Sequence, residues 1–474
     1  MNLFLYSIVI YLAAGIMQTM VPDRLKPWIF MGFSAPASFM AITASLQVLI
    51  TGNTVKTIFA FPYPLGDVTC VMDSLSAFFV LITAIMGFTA AVYAAGYLKP
   101  YLNKNRAIGA HYFYMSLLLA FILLVTVIQN ALAFLIAWEI MSLSSFFLVA
   151  FENEKKEVFD AALHYLIAMH VGVIFLISAF LLLSIKSGSF DFNSFSAVLR
   201  NGDGGGRLVS LLFVFFFIGF GTKAGFFPFH VWLPKAHPAA PGHISGIMSA
   251  VMIKTGIYGI LRVLTLIGTP PKGLGYFVLG ISLVSAVMGI LYAMTQRDTK
   301  WFLAYSSIEN IGIMGIGMGI GMLGLSYGSL AMVVLGFGGC LIHLLNHAVF
   351  KSLLFFAVGT VYQRTHLRNM EKMGGLIHRM PYTAAFSLAG SAAICGLPPM
   401  NGFIGKFLLY FAMVKGIQVE NPLLNVVGIF AIAVLGFVGA AASMAFAKMF
   451  SIVFLGAPRK DIEVSEAKPI MLIP

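Results

Sequence analysis

A chain of 474 residues in which 60% are hydrophobic and only 10% charged, with a mean hydropathy of +0.94, lies far outside the globular range, where about a quarter of residues carry charge. This excludes a water-soluble fold and defines an integral membrane protein. The net charge of +12 does not indicate a nucleic-acid partner, because the 29 basic residues are scattered through short loops instead of gathered with aromatics on one stripe.

Apolar runs near the roughly 20 residues that a crossing helix needs recur from end to end. The expectation is an all-α membrane protein of about thirteen transmembrane helices, a single membrane domain over 1–474 with no separate soluble domain. The predicted spans are 3–20, 28–51, 73–97, 110–129, 131–151, 161–185, 208–227, 243–265, 273–295, 301–322, 326–361, 381–417 and 425–455. Before Tyr6 only Asn2 is not apolar, so the start lacks the charged region and cleavage site of a secretory signal, and the first helix is expected to remain. The eleventh and twelfth spans exceed a simple crossing. Gly336, Gly338 and Gly339 in the eleventh and GLPPMNGFIG in the twelfth suggest bent or interrupted helices, which in transporters flank the ion path. Cys70, Cys340 and Cys395 are too far apart in sequence for a CxxC metal site or a disulfide framework and read as small core residues.

Loop charge sets the expected orientation. With the N-terminus outside, the inner loops hold seventeen Lys and Arg residues, from Arg24 and Lys26 through Lys104 and Arg106 to Lys468. The outer loops and their margins hold seven, Lys56, Lys186, Arg200, Arg207, Arg262, Lys272 and Lys415. That bias satisfies the positive-inside rule.

Five lysines remain inside predicted spans: Lys223, Lys254, Lys351, Lys406 and Lys448. Two of them fall in GTKAGFFPFHVWLPKAHPAAPGHISGIMSAVMIKTGIY, residues 221–258, which sets lysines, histidines and prolines between two apolar runs. One lysine at mid-membrane costs about 2.5–3.5 kcal/mol, so an intramembrane charge reads first as part of an ion path. The acidic counterparts are Glu139 and Glu309. A structural salt bridge competes with the functional reading throughout, and for Lys448 and Lys351, nearer their helix ends, so does snorkelling to the interface. His343, His347 and Lys351 follow at i, i+4 and i+8, so they share one face of the eleventh helix as a relay. The two histidines alone are a poor metal site, since no carboxylate or cysteine accompanies them. His164 and His170 in the sixth span, and His230 and His237 near the break, are read either as relay members or as hydrogen-bonding groups.

A duplication is also expected. Lys223 in GFGTKAGFFPF and Lys406 in GLPPMNGFIGKF each stand among glycines, prolines and phenylalanines, five helices apart. An odd offset inverts the second unit, giving inverted repeats at 110–265 (helices 4–8) and 273–455 (helices 9–13), with broken seventh and twelfth helices. Glu139 would then correspond to Glu309, and Lys254 to Lys448.

WLPKAHPAAPGHISGIMSAVMIKTGIYGILR, DTKWFLAYSSIENIG, HLLNHAVFKSLLFFAVG and GLPPMNGFIGKF, in that order, resemble the proton-translocating antiporter-like subunits shared by respiratory complex I, Mrp sodium/proton antiporters and membrane-bound hydrogenases. The similarity covers about residues 70–470, and AHPAAPGHISG and SSIENIG are most similar to the hydrogenase-4 and formate hydrogenlyase large membrane subunit. The resemblance implies that Glu139 is the fifth-helix glutamate, Lys223 its partner on the broken seventh helix, Lys254 the central lysine and Lys406 the exit residue on the broken twelfth. His343, His347 and Lys351 would join the same axis. That lineage usually carries glutamate at the position of Lys406, where Mrp-like subunits carry lysine, and family members have at least fourteen helices.

The resemblance further implies a transport subunit that is not itself an enzyme, has no cofactor or redox centre, and assembles with other membrane subunits and a peripheral oxidoreductase arm in the cytoplasmic membrane. A buried lysine is pushed toward neutrality by desolvation and toward charge by a nearby carboxylate. A shift of Glu139 relative to Lys223 would therefore release a proton toward Lys254, the His343 face and Lys406. A Mrp-type antiporter or complex I subunit, and a non-pumping membrane scaffold for a peripheral oxidoreductase, are the alternatives. A lipid transferase is disfavoured by the lack of a DDxxD-like acidic cluster. Sodium wants clustered oxygen ligands, so protons fit better, with sodium left open.

Overall fold

The computed structural model describes residues 1–62, 65–102, 107–201, 205–460 and 463–474. Lys104 and Arg106, counted above with the inner-loop cations, lie outside the described residues.

Helices α1 (Asn2–Met20) and α2 (Lys26–Thr51) lead to a hairpin of β1 (Val55–Ala60) and β2 (Asp67–Met72), then to α3 (Ser74–Tyr97), α4 (Ile108–Val125), α5 (Ala131–Val149) and α6 (Lys156–Ser187). Next come α7 (Phe192–Asn201), α8 (Gly205–Ala224), α9 (Leu233–Ala239), α10 (Gly242–Ile247), a π-helical turn Met248–Met252 and α11 (Lys254–Ile267). The chain continues through α12 (Lys272–Thr295), α13 (Thr299–Tyr327), α14 (Leu330–Thr365), α15 (Pro381–Cys395), α16 (Asn401–Ile417), α17 (Pro422–Phe454) and α18 (Pro469–Leu472).

Twelve segments among the described residues are long and apolar enough to cross a membrane. The expected twelfth span is not one of them, because it is two helices: α15 has 15 residues and α16 has 17, each short of a full crossing. The seventh breaks after Ala224, before α9. Each break holds a cis X–Pro bond, Phe227–Pro228 in one and Pro398–Pro399 in the other.

The expected irregularity in the eleventh span is corrected. Helix α14 runs through all 36 of its residues without interruption, and two of the three glycines in its first half serve contact instead. A Cβ on Gly336 would come 2.6 Å from the backbone nitrogen of Gly321, and one on Gly339 would meet Leu409 at 2.7 Å. The hairpin and α7 are additions to the predicted spans. Phe192, Phe195 and Leu199 are buried at i, i+3 and i+7, a helical stripe hidden in a stretch otherwise rich in serine, asparagine and aspartate. Arg200 closes that helix by donating to the carbonyls of Thr265 and Leu266 at 2.7 and 3.1 Å.

The contacts group the chain into two compact units. The first comprises Met1–Lys223, Ala239–Gly268 and Ile473–Pro474. Within it, Arg262 of α11 forms a two-pronged ion pair with Asp73, the N-cap of α3, through Nη1 at 2.6 Å and Nη2 at 2.8 Å. Its Nε donates to Tyr258, whose hydroxyl donates to the carbonyl of Thr126 beyond α4. Arg262 is thus an internal tie, 7% exposed, and not the outer-loop cation counted from the sequence.

The second unit comprises Ala224–Pro238 and Thr269–Leu472. Its centre is α13, pressed against α12 at glycines. A Cβ on Gly289 would come 2.3 Å from the nitrogen of Glu309, and one on Gly312 would come 2.4 Å from that of Ala286. This close approach decides where Glu309 sits.

Candidate functional site

In the first unit the last turn of α8 carries Lys223, 1% exposed. Its ammonium donates to Ser142 Oγ and to the Tyr165 hydroxyl, each at 3.0 Å. Tyr165 also shares a hydrogen bond with Ser145 Oγ, and the ammonium stands over the rings of Trp138 and Tyr165 at 5.7 and 5.5 Å. The Tyr165 hydroxyl reaches the Met252 sulfur at 3.8 Å, inside the π-helical turn. Lys254 follows that turn, fully buried, and donates back to the Ser249 carbonyl. A π turn widens the helix and leaves carbonyls outside the regular ladder, and such turns recur at functional sites. Here one of those carbonyls takes the lysine.

Glu139 departs from expectation. Among the described residues it makes no hydrogen bond or ion pair with Lys223, whose partners are Ser142 and Tyr165. Its carboxylate is 27% exposed, with Oε2 at 3.6 Å from His170 Nε2 and Oε1 making no hydrogen bond among the described residues. It lines an apolar groove of about 440 Å³ with Leu135, Ile136, Val173 and Ile177 of α5 and α6. The imidazoles of His164 and His170 lie exposed against their own helix, at the carbonyls of Asp160 and Leu166.

The second unit is drier. Glu309 is completely buried, and neither carboxylate oxygen makes a hydrogen bond among the described residues. Lys406 and Lys351 act on it electrostatically without touching it. The Lys351 ammonium donates to the Leu303 carbonyl at 2.7 Å and to Ser306 Oγ. Asn310 Nδ2 donates to the Ser306 carbonyl at 2.7 Å, and His343 Nε2 donates to Asn310 Oδ1 at 3.0 Å. Lys351, Ser306, Asn310 and His343 thus form one chain of polar contacts across α13 and α14. Helix α16 joins because Gly405 has no side chain, since a Cβ there would fall 2.7 Å from that of His343. The next residue, Lys406, is 6% exposed and donates to the carbonyls of Ile394 and Cys395 at 3.1 and 3.2 Å, the last of α15.

The remaining expected residues scatter. His347 is buried beside Phe350, and His237 stacks on Phe355 at 4.9 Å. His230 stacks on Phe227 outside the crossing segments, where burial holds its imidazole below the usual histidine range. Lys448 is exposed and donates to the Met294 carbonyl at 3.0 Å, as a snorkelling side chain does, whereas Lys351 is fully buried and does not snorkel. Lys448 therefore does not share the surroundings of Lys254. Sequence reasoning missed Ser142, Ser145, Tyr165, Ser306 and Asn310. Their signal was present: Ser142 lies three residues after Glu139, and Ser306 and Asn310 are an i, i+4 polar pair in an apolar helix.

Membrane-length helices, one ending at a cis-proline break and one carrying a π turn, beside a crossing split into two short helices, with buried lysines at those irregularities, are the make-up of an antiporter-like membrane subunit. The sequence profile described as "NADH:quinone oxidoreductase/Mrp antiporter, TM" matches residues 129–436, and the chain belongs to that family. It is 39% identical over 464 residues to hydrogenase-4 component B of Escherichia coli K12, covering 97% of this chain and 68% of that protein. It is 31% identical over 402 residues to formate hydrogenlyase subunit 3 of the same organism, covering 85% of this chain and 64% of that one. Among solved structures, the membrane-bound sulfane sulfur reductase, an archaeal respiratory membrane complex, contains a similar chain with a TM-score of 0.84 and 26% identity, covering 98% of this chain and 73% of that one. The chain thus spans about two thirds of the length of these two relatives.

Proposed function

We propose that this chain is the proton-translocating, antiporter-like membrane subunit of a multisubunit energy-converting oxidoreductase of the membrane-bound hydrogenase or formate hydrogenlyase type. It lies in the cytoplasmic membrane with its N-terminus outside, as the loop charges favour. The observation that carries the reading is how the lysines are held. Lys223, Lys351 and Lys406 are buried, and each donates to hydroxyls or backbone carbonyls instead of closing on a carboxylate. A contact ion pair would lock the ammonium in its charged form. Neutral acceptors satisfy it and still leave proton release accessible, while a carboxylate within electrostatic reach, Glu139 in one unit and Glu309 in the other, can tip the balance as it moves. Among the described residues each cluster has one intramembrane carboxylate near it, Glu139 partly exposed and Glu309 buried, which favours protons over sodium, since sodium needs several oxygen ligands.

The test is proton movement in inverted membrane vesicles containing the assembled complex. Lys223→Met and Glu139→Gln should abolish coupled proton uptake with assembly intact on native gels. Uptake that survives both changes, with only assembly impaired, would replace the reading with a scaffold. Sodium-dependent uptake would replace the hydrogenase type with an antiporter.

A further inference from the structure

His111 of α4 and His243 of α10 meet in the first unit, Nε2 to Nε2, at 2.7 Å, with exposures of 3% and 0%. Neither is among the hydrogen-bond partners given above for Lys223, Lys351 and Lys406. At that separation one ring donates and the other accepts, so a single proton lies between them. The pair can hold zero or one net positive charge with this bond intact. A second added proton would set two N–H groups against each other and force the rings apart.

The surroundings favour a working pair over a filler. Tyr97 of α3 lies edge-on to His243 with ring centres at 5.4 Å, and Phe151 lies edge-on to His111 at 4.5 Å. Phe151 belongs to the 3₁₀ turn Ala150–Glu152 after α5, and its ring touches that of Tyr101, whose hydroxyl donates to Glu152 at 2.9 Å. Glu152 is 17% exposed and paired with Lys155, so a surface carboxylate and a phenol stand at the outer end of the aromatic wall whose inner end holds the imidazoles. Among the described residues, the other titratable groups on this side include Tyr112, beside His111, Tyr93, which stacks on Tyr97, and Lys26, which lies against Gly109 and pairs with Asp23. His111 Nδ1 is buried and makes no hydrogen bond among the described residues, which leaves it available to take a proton.

Resting on the translocation reading above, we propose that His111 and His243 are the proton-loading pair of the first unit, passing protons from the Glu152 side into the span that carries Lys254. A proton arriving on His111 Nδ1 makes that ring an imidazolium. The shared proton then crosses from His111 Nε2 to His243 Nε2, and His243 releases its Nδ1 proton inward. One proton enters, one leaves, and both rings end neutral with their tautomers exchanged. The pair resets when each ring gives up the proton it now carries and regains one on its other nitrogen by exchange with water, one proton lost and one gained per ring.

The test uses vesicles carrying the chain with its partner subunits. His111→Gln and His243→Gln keep a polar group but cannot relay a proton, and proton flux should fall about 100-fold, the low end of what a positioned acid–base group contributes, with a flattened pH profile. Lys223→Met is run beside them. Flux stopped by Lys223→Met but unchanged in rate and pH profile in both histidine variants overturns the inference alone. Flux unchanged in all three overturns the translocation reading as well. Should the variants fail to assemble, ¹⁵N-histidine NMR of the unaltered protein decides: coupled titration of two rings across one shared proton supports the pair, and two independently titrating imidazoles overturn it.

Discussion

The ammonium of Lys223 donates to the hydroxyl of Tyr165 over 3.0 Å, and the same hydroxyl reaches the thioether of Met252 two residues before Lys254. A phenol so placed, with Ser145 as a further partner, can take up the slack when a lysine proton leaves.

Tyr165→Phe keeps the ring beneath Lys223 and removes only the oxygen. Among the described hydrogen-bond partners the ammonium then retains Ser142. Loss of one buried acceptor costs about 1–3 kcal/mol, which expressed in a rate is roughly 5- to 150-fold. Proton uptake by vesicles should fall in that range with assembly unchanged. Wild-type uptake in the variant would remove Tyr165 from the site.

Much of this was legible in the sequence because charge in an apolar run is conspicuous. Lys223, Lys254, Lys351 and Lys406 stand out by cost alone, and all four are buried. What each lysine touches was not legible, since serine, tyrosine and asparagine are cheap enough in a helix to pass unnoticed. Glu139 shows the limit of a pairing carried over from a resemblance: the family pattern implies that it partners Lys223, yet the carboxylate turns toward His170 at the wall of an apolar groove. Lys448 shows the limit of pairing by register, because a matching helix number says nothing about which face of α17 the lysine occupies. Gly336, Gly338 and Gly339 suggest a bend or an interruption in α14 because sequence does not distinguish a flexible glycine from one that admits a neighbouring helix.

That distinction can be measured on α12 and α13. Gly289→Ala and Gly312→Ala each push a methyl into the facing backbone, at 2.3 and 2.4 Å, and neither backbone can yield without displacing its helix. Each should destabilise the protein by about 1–3 kcal/mol, the usual cost of overpacking. Gly338→Ala is the control. Among the described residues no atom beyond its own stretch of helix lies within 4 Å of its added carbon, and alanine is the better helix former by about 1 kcal/mol, so the sign should reverse. Thermal unfolding of the purified protein in detergent separates the cases, and equal effects at all three positions would contradict the packing described.

The tie between Asp73 and Arg262 has its own pH signature. Burial works to raise the Asp73 carboxyl, but the hydrogen bonds and charge of Arg262 outweigh it and hold the group below the usual aspartate range. A lowered folded value means that the stabilisation is fully present above the unfolded value of about 3.9 and is lost as pH falls through the folded one. Asp73→Asn should therefore cost stability at neutral pH, about 3 kcal/mol for removing one partner of a buried pair. The gap to wild type should close on acidification below about pH 4. A constant gap across that window would mean that the carboxylate charge is not what holds α3 to α11.

Lys406 closes the break between α15 and α16 by donating to the carbonyls of Ile394 and Cys395, where the end of a helix presents partial negative charge. Two functions coincide in one ammonium: it ties the two half-helices together, and its charge acts on Glu309. Substitutions can separate them. Lys406→Gln retains a donor and loses the charge, so the break should stay closed while proton uptake stops. Lys406→Glu supplies only acceptors where two carbonyls need donors, so the ionised form is repelled by the helix end and the tie is lost together with the charge. Hydrogen exchange of the amides from Gly396 to Gly402 reads the tie, and vesicle uptake reads the charge. The expected order is unchanged protection for Lys406→Gln and faster exchange, roughly tenfold or more for a loss of 1.4 kcal/mol, for Lys406→Glu. If Lys406→Gln transported at the wild-type rate, the ammonium would be a structural clip, and proton exchange in the second unit would have to proceed without it.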